Sequence, residues 1–156
     1  MNKLATQILR VYATAEQLEF LPRLAARLCM GLMFLGGALH KAANLSDFVA
    51  YFQSLHIPAA AIQAPFVVAV EFFGGLFLML GLAMRPAAVM LAGTMVVALA
   101  TAAIPEHHIQ ANWKGLLEFL YLPELLLLLL LGWLAVAGAG RASVDHVLRQ
   151  RLTKSE

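Results

Sequence analysis

Two carboxylates lie inside long runs of hydrocarbon side chains. Glu71 stands in "VAVEFFGGLFLML" and Glu124 in "LYLPELLLLLLL". Keeping a charge in an apolar medium is costly, so such a carboxylate is usually paired, protonated, or part of a site that binds polar groups or transfers protons. Glu71 and Glu124 are therefore candidate catalytic residues. The alternative for each is a carboxyl group that only hydrogen-bonds helices together.

Further polar side chains are expected close to these carboxylates. Glu118 and Tyr121 precede Glu124 by six and three residues, so all three share an arc of roughly 120° if their helix is continuous. His40 and Lys41 are adjacent in "GLMFLGGALHK". We expect Glu118 and His40 to act in proton transfer, and Lys41 and Tyr121 to hold an anionic or quinone-like oxygen. The alternative is that they only anchor helix ends in water.

The triplet "EHH", Glu106 to His108, is a candidate metal site. Imidazole nitrogens bind transition metals, and His107 and His108 could act together with His40 or His56. Adjacent histidines in a loop lack the spacing that is typical of a metal motif. A solvated polar turn is the alternative.

The composition indicates that these residues belong to a membrane protein. Of the 156 residues 62% are apolar and 13% charged, and the mean hydropathy is +0.79, which is too apolar for a soluble domain of this size. Crossing the hydrocarbon layer takes about 20 mostly apolar residues per helix. We predict one all-α domain over residues 1–156, a four-helix bundle with spans at 21–40, 62–84, 86–104 and 116–138.

Basic residues predict how this bundle is oriented. Only Lys41 and Lys114 fall in the two loops on one side of the predicted membrane. The basic residues on the other side are Lys3, Arg10, Arg23, Arg27, Arg85, Arg141, Arg149, Arg151 and Lys154. Because positively charged loops stay in the cytoplasm, both termini are predicted there, with the protein in a bacterial inner membrane.

Two amphipathic surface helices are also predicted. Apolar residues recur at helical spacing in residues 1–20, before the first span. The stretch "NLSDFVAYFQSLHIP" opens with Asn44 or Ser46 as an N-cap and stops at Pro58. We expect this second helix to lie on the outer face, where it could cover a site.

The rise of a helix sets the depth of the candidate residues. At ~1.5 Å per residue, Glu71 and Glu124 both come to roughly 20 Å from the cytoplasmic boundary, and Glu118 and His40 to roughly 27–30 Å. The sequence thus predicts a layer of carboxylates in the bilayer with a carboxylate, a histidine and Lys41 above it.

Three residue types inside the spans predict local geometry. Gly74 and Gly75 share a face with Glu71, so that face should meet a neighbouring helix at close range. Pro123 removes a backbone hydrogen bond and is expected to bend the fourth span. Arg27 lies about 8 Å from the inner boundary on the same count, and we expect its side chain to extend to the cytoplasmic edge.

Several classes of protein are disfavoured. A thiol relay is improbable with Cys29 as the only cysteine. No histidine lies well inside a predicted span, which argues against a haem held between helices. Phosphate-binding glycine loops and "HExxH" are absent. The basic residues follow the membrane edge, so nucleic-acid binding has no support.

These residues resemble those of the DoxX family of small four-helix membrane proteins. The resemblance rests on "GLMFLGGALHK" after Arg27, "VEFFGGLFLMLGLAMR", "LEFLYL" and "AGAGRASVD". It implies a membrane redox accessory, since family members resemble subunits linked to thiosulfate:quinone oxidoreductase or quinol oxidase, or partners of cytosolic redox enzymes. A subgroup resembles membrane components of clusters concerned with copper-binding peptides. The positions that match the family are Arg27, Lys41, Glu71, Arg85, Glu118 and Arg141.

Two hypotheses follow for the function. In the first, the protein is an accessory subunit of a quinone-linked redox system, whose carboxylate layer binds a quinone or passes its protons while a partner enzyme supplies electrons. In the second, it is a non-catalytic membrane anchor, an assembly factor, or a module that handles small solutes or metal.

Overall fold

The chain folds into helices joined by short connections. The computed structural model describes Leu18 and residues 20–154, and these contain no strand. The helices are α1 (Phe20–Ala43), α2 (Leu45–Ser54), α3 (Ala60–Leu80), α4 (Met84–Ala98), α5 (Trp113–Leu120), α6 (Pro123–Ala137) and α7 (Val144–Thr153). A π-helical turn, Leu99–Ala103, and the short segment Ile104–Glu106 continue α4. The all-α prediction is confirmed, whereas the predicted helix in residues 1–20 falls largely outside the described residues.

Three helices are long and apolar enough to cross a membrane. They are α1, α3 and the continuous run Met84–Glu106. The helices α5 and α6 pass the same test together, with a bend of 61° between them. Large apolar side chains such as Leu32, Met33 and Val136 are 57%, 58% and 80% exposed, as expected of surfaces that face lipid.

The break between α5 and α6 interrupts the predicted span 116–138. Leu122, with an extended backbone, precedes Pro123 at the first turn of α6. Proline disfavours a helical conformation in the residue before it and has no N–H to donate, so a helix commonly ends there and another can begin. The bend predicted from Pro123 is confirmed, and it is sharper than a kink within one helix.

Glycines bring α1 and α3 into backbone contact. A Cβ atom added at Gly75 would lie 2.8 Å from the carbonyl oxygen of Gly31 and 3.0 Å from the amide nitrogen of Leu35. One at Gly74 would lie 2.8 Å from Leu91 of α4. The two adjacent glycines therefore face two different neighbours, and the predicted close packing beside Glu71 is confirmed.

Arg27 closes one end of the bundle. Its guanidinium donates to the carbonyl oxygens of Leu78 at 3.0 Å, Met79 at 3.0 Å, Ala139 at 2.6 Å and Ala142 at 2.9 Å. The side chain is 1% exposed. The expectation that Arg27 extends to the aqueous edge is wrong, because the last turn of α3 and the segment after α6 surround it with acceptors.

Asp145 ties α4 to the same end. Its carboxylate accepts from the amides of Ala83 at 2.8 Å and Met84 at 3.1 Å, and its own amide donates to the carbonyl of Gly81 at 3.0 Å. Gly81 has φ +64° and ends α3, which explains why α3 stops before residue 84 and α4 begins at Met84. We call this end, where Arg27 and Asp145 lie, the arginine end.

Candidate functional site

A buried ion pair joins α1 to α3 in the half of the bundle away from the arginine end. The Lys41 Nζ lies 2.7 Å from both carboxylate oxygens of Glu71. The Glu71 side chain is 4% exposed and that of Lys41 is 30% exposed. A carboxylate in an apolar span is usually paired, protonated or part of a site. Glu71 is paired, and the ammonium of its partner Lys41 stays partly exposed.

The helix α2 packs over this ion pair. The Lys41 ammonium lies 5.1 Å from the ring centroid of Phe48, within the range of a cation–π contact. Phe48 packs against Phe52 at a centroid distance of 4.6 Å. Phe52 is buried together with Ala60 and Ala64 of α3, so the aromatic face of α2 is held against the bundle, as its amphipathic pattern predicts.

A cavity of about 710 Å³ opens beside the pair. Residues of α1, α2, α3, α4 and α6 line it, and most of them are apolar. The ionisable residues on its wall are Lys41, Tyr51, Glu71, Glu106, His107 and Glu124. Glu71 and Glu124, predicted to share one level, thus contribute to one cavity.

Tyr51 and Glu106 are functional candidates that the sequence did not single out for this site. Burial, and then the negative charges of Glu106 and Glu124, raise the pKa of the Tyr51 hydroxyl. The hydroxyl therefore stays protonated and can donate a hydrogen bond. The signal available was the position of Tyr51 between Phe48 and Phe52; the residue is 44% exposed and borders the cavity.

Three predicted residues lie outside this cavity. The Glu118 side chain is 44% exposed, with its carboxylate 3.7 Å from the Lys114 ammonium. Tyr121 is 83% exposed, and His40 is also exposed. The break before Pro123 places Glu118 on α5 and Glu124 on α6, so the arc expected of one continuous helix does not form.

The two candidate metal ligands also separate. His107 lines the cavity and His108 does not. His108 has φ +48°, a left-handed backbone conformation just after the helical segment that ends at Glu106. Among the residues that the structure describes, no group of three His, Cys, Asp or Glu side chains is placed to hold a metal ion.

Apolar helices long enough to span a bilayer, packed around an ion-paired carboxylate and a cavity, define an integral membrane protein of the helical-bundle class. The chain belongs to the DoxX family, whose profile matches residues 23–104. This match includes Arg27, Lys41, Glu71 and Arg85, and ends before Glu118. Neither a curated protein nor a solved structure matches the chain.

Proposed function

We propose that this DoxX-family protein is an accessory subunit of a quinone-linked redox system in a bacterial inner membrane, and that the cavity beside Lys41 and Glu71 binds the quinone ring. The observation that carries the proposal is the ion pair on the cavity wall. A buried carboxylate with an ammonium held against it provides a proton acceptor and a hydrogen-bond donor in otherwise apolar surroundings.

The cavity suits such a ligand in size and in chemistry. Pockets for small molecules measure roughly 300–1,000 Å³ and combine apolar walls with few polar groups, and this cavity is about 710 Å³. A quinone is a flat apolar ring with two oxygens that accept hydrogen bonds. Lys41 has three N–H donors, of which two suffice for the contacts to Glu71, and Tyr51 supplies a hydroxyl.

The residues that line the cavity have different roles in this proposal. Lys41 and Tyr51 orient the ring by donating hydrogen bonds, and the apolar walls limit access of water. Glu71 can accept a proton at a carboxylate oxygen, and Glu124 and Glu106 on the same wall provide further acceptors towards His107. A bound quinone would supply two-electron, two-proton chemistry, with a partner enzyme as the source of electrons.

The ion pair also favours a second candidate function. Lys41 neutralises Glu71 through two contacts of 2.7 Å, as a purely structural pair would. In that case the protein is a non-catalytic anchor, an assembly factor or a carrier, and the cavity holds lipid chains. Binding of a quinone that depends on Glu71 distinguishes the two candidates.

The test is the thermal unfolding midpoint of the purified protein in neutral detergent, with and without a short-tailed ubiquinone analogue. We expect the analogue to raise the midpoint of the parent and to have a smaller effect on Glu71→Gln and on Tyr51→Phe. The matched control is Glu118→Gln, which changes an exposed glutamate outside the cavity and should respond as the parent does.

Two results would reject the proposal. If the analogue leaves the parent midpoint unchanged, no quinone site exists. If Glu71→Gln and Tyr51→Phe respond as strongly as the parent, the analogue binds elsewhere and the cavity is not the site.

A further inference from the structure

A second, basic cavity lies at the arginine end. It measures about 430 Å³ and is bounded by the start of α1, the start of α4, the segment after α6, and α7. Four arginines line it, Arg23, Arg85, Arg141 and Arg149, together with His146. The positive-inside rule concerns how many basic residues lie on one side of the membrane. It does not require those residues to line a single cavity, as they do here.

The guanidinium groups of Arg85, Arg141 and Arg149 form no ion pair with the described residues that line this cavity. The only carboxylate among them is that of Asp145, and its two oxygens accept hydrogen bonds from the amides of Ala83 and Met84. Arg85 makes one long contact, 3.5 Å to the carbonyl of Val136. The guanidinium groups of Arg141 and Arg149 make no hydrogen bond or ion pair with a described residue, and the Arg149 carbonyl accepts a hydrogen bond from Thr153. Guanidinium groups in this state are suited to phosphate oxygens, which they bind with paired N–H donors.

The position of the cavity points to the source of the phosphate. Phe20, Met84 and Ala137, which mark the ends of three apolar helices, also line it. The cavity therefore lies where the hydrocarbon layer ends and lipid phosphates begin. We propose that it binds the phosphate group of an anionic phospholipid, with the lipid chains along the apolar rim. Basic pockets between spanning helices bind anionic headgroups in this way.

The experiment uses the full chain in neutral detergent and follows its thermal unfolding midpoint during titration. The probes are dioctanoyl phosphatidylglycerol, dioctanoyl phosphatidylcholine and inorganic phosphate. Phosphatidylglycerol should raise the midpoint most. In the double variant Arg141→Gln/Arg149→Gln we expect half-saturation at about tenfold higher lipid, because two charge pairs at exposed positions are lost and each contributes less than a buried one.

The matched control is Arg151→Gln/Lys154→Gln, which removes the same charge from exposed positions of the same end that do not line the cavity. It should bind phosphatidylglycerol as the parent does. The control separates a built site from diffuse attraction of an anionic lipid to a basic surface. The guanidinium groups removed in the test variant make no bond to a described residue, so its midpoint without lipid should match the parent.

Three results would overturn the proposal. Equal effects of phosphatidylglycerol and phosphatidylcholine would show that the protein does not distinguish an anionic lipid from a zwitterionic one. Equal weakening in the test and control variants would show diffuse attraction. An effect of inorganic phosphate equal to that of the lipid would assign the cavity to a soluble anion. Native mass spectrometry of the parent gives a reading that needs no variant: phosphatidylglycerol should be retained in preference to phosphatidylcholine, and no preference contradicts the proposal.

Discussion

At the scale of single residues, the bundle keeps two charges inside apolar helices by different means. Arg27 has no carboxylate in hydrogen-bond contact among the described residues, and its guanidinium donates instead to four backbone carbonyls. Glu71 is held by one ammonium through both oxygens. The first arrangement uses carbonyls in the last turn of α3 and in the segment after α6. The second joins two helices and leaves Lys41 open to the cavity.

The unequal burial of the ion pair predicts unequal effects of mutation. Lys41→Met leaves the Glu71 carboxylate buried without its partner and should lower the free energy of unfolding by about 1–3 kcal/mol. Glu71→Gln should cost less, because the ammonium of Lys41 is partly exposed. The double variant should recover much of the loss seen in Lys41→Met. Thermal unfolding of the four proteins measures this cycle, and strictly additive effects would show that the pair is not coupled.

The fork of donors at Arg27 predicts that lysine cannot replace it. Arg27→Lys keeps the charge, but one ammonium cannot reach carbonyls of α3 and of the segment after α6 in the same geometry. We expect a loss of about 3 kcal/mol or more, since hydrogen bonds to charged groups contribute about 1.5–3 kcal/mol each. The midpoint of thermal unfolding measures it. Arg151→Lys, at an exposed position, is the control, and equal midpoints for the two variants would refute the role of the fork.

How far the sequence predicts the site can be judged from Lys41 and Glu71. Both were candidates, but height along the helices placed Lys41 above the carboxylates. The contact between Gly31 and Gly75 sets a common level on α1 and α3. Above that level, the Cα atom of Lys41 is higher by about 15 Å and that of Glu71 by about 6 Å, at ~1.5 Å per residue. Two long side chains span that difference, and a count of Cα heights cannot show it. The sequence therefore identifies the members of the pair but not the bond.

At the scale of elements, α3 is the central helix because its two adjacent glycines face two different neighbours. Gly75 meets the backbone of α1 and Gly74 meets Leu91 of α4. Without a hydrophobic driving force in lipid, such close contacts are what holds helices together. The pattern of small residues predicted this contact, since it depends only on which face a residue occupies.

The contact between α1 and α3 predicts that no side chain fits at position 75. Gly75→Ala places a Cβ at 2.8 Å and 3.0 Å from backbone atoms of Gly31 and Leu35, so α1 and α3 must move apart. We expect a lower unfolding midpoint. Gly36→Ala meets nothing within 4 Å and should leave the midpoint unchanged or raise it, because alanine favours helix by about 1 kcal/mol. Equal effects of the two substitutions would contradict the close contact.

The break between α5 and α6 shows what the sequence predicts less well. Pro123 indicates a bend but not its size. The angle of 61° depends on Leu122, which is 3% exposed and packs with Leu99 and Ala103 at the π-helical turn. That contact lies far away in sequence, and nothing local encodes it. For this reason the single arc predicted for Glu118, Tyr121 and Glu124 does not form.

At the scale of the whole molecule, the two ends of the bundle differ in the charge of the residues that line their cavities. The arginine end gathers the basic cavity, Arg27 and the exposed residues of α7, whereas the far half holds the acidic wall of the larger cavity. An anionic ligand is favoured at one end and a proton acceptor at the other. Because helices tie both ends together, the molecule can hold the two sites at fixed heights in the membrane.

This division predicts the orientation in the membrane. The carbonyl of Ala139, just after α6, reaches Arg27 of α1 at 2.6 Å, so α5 and α6 together return the chain to the end where α1 begins. With the arginine end in the cytoplasm, residue 111 should face outward and residue 154 inward. In spheroplasts of a Cys29→Ala background, a membrane-impermeant maleimide should label Ala111→Cys directly and Lys154→Cys only after lysis. The reverse pattern would invert the orientation, and labelling of both in spheroplasts would show that α5 and α6 do not form a complete span.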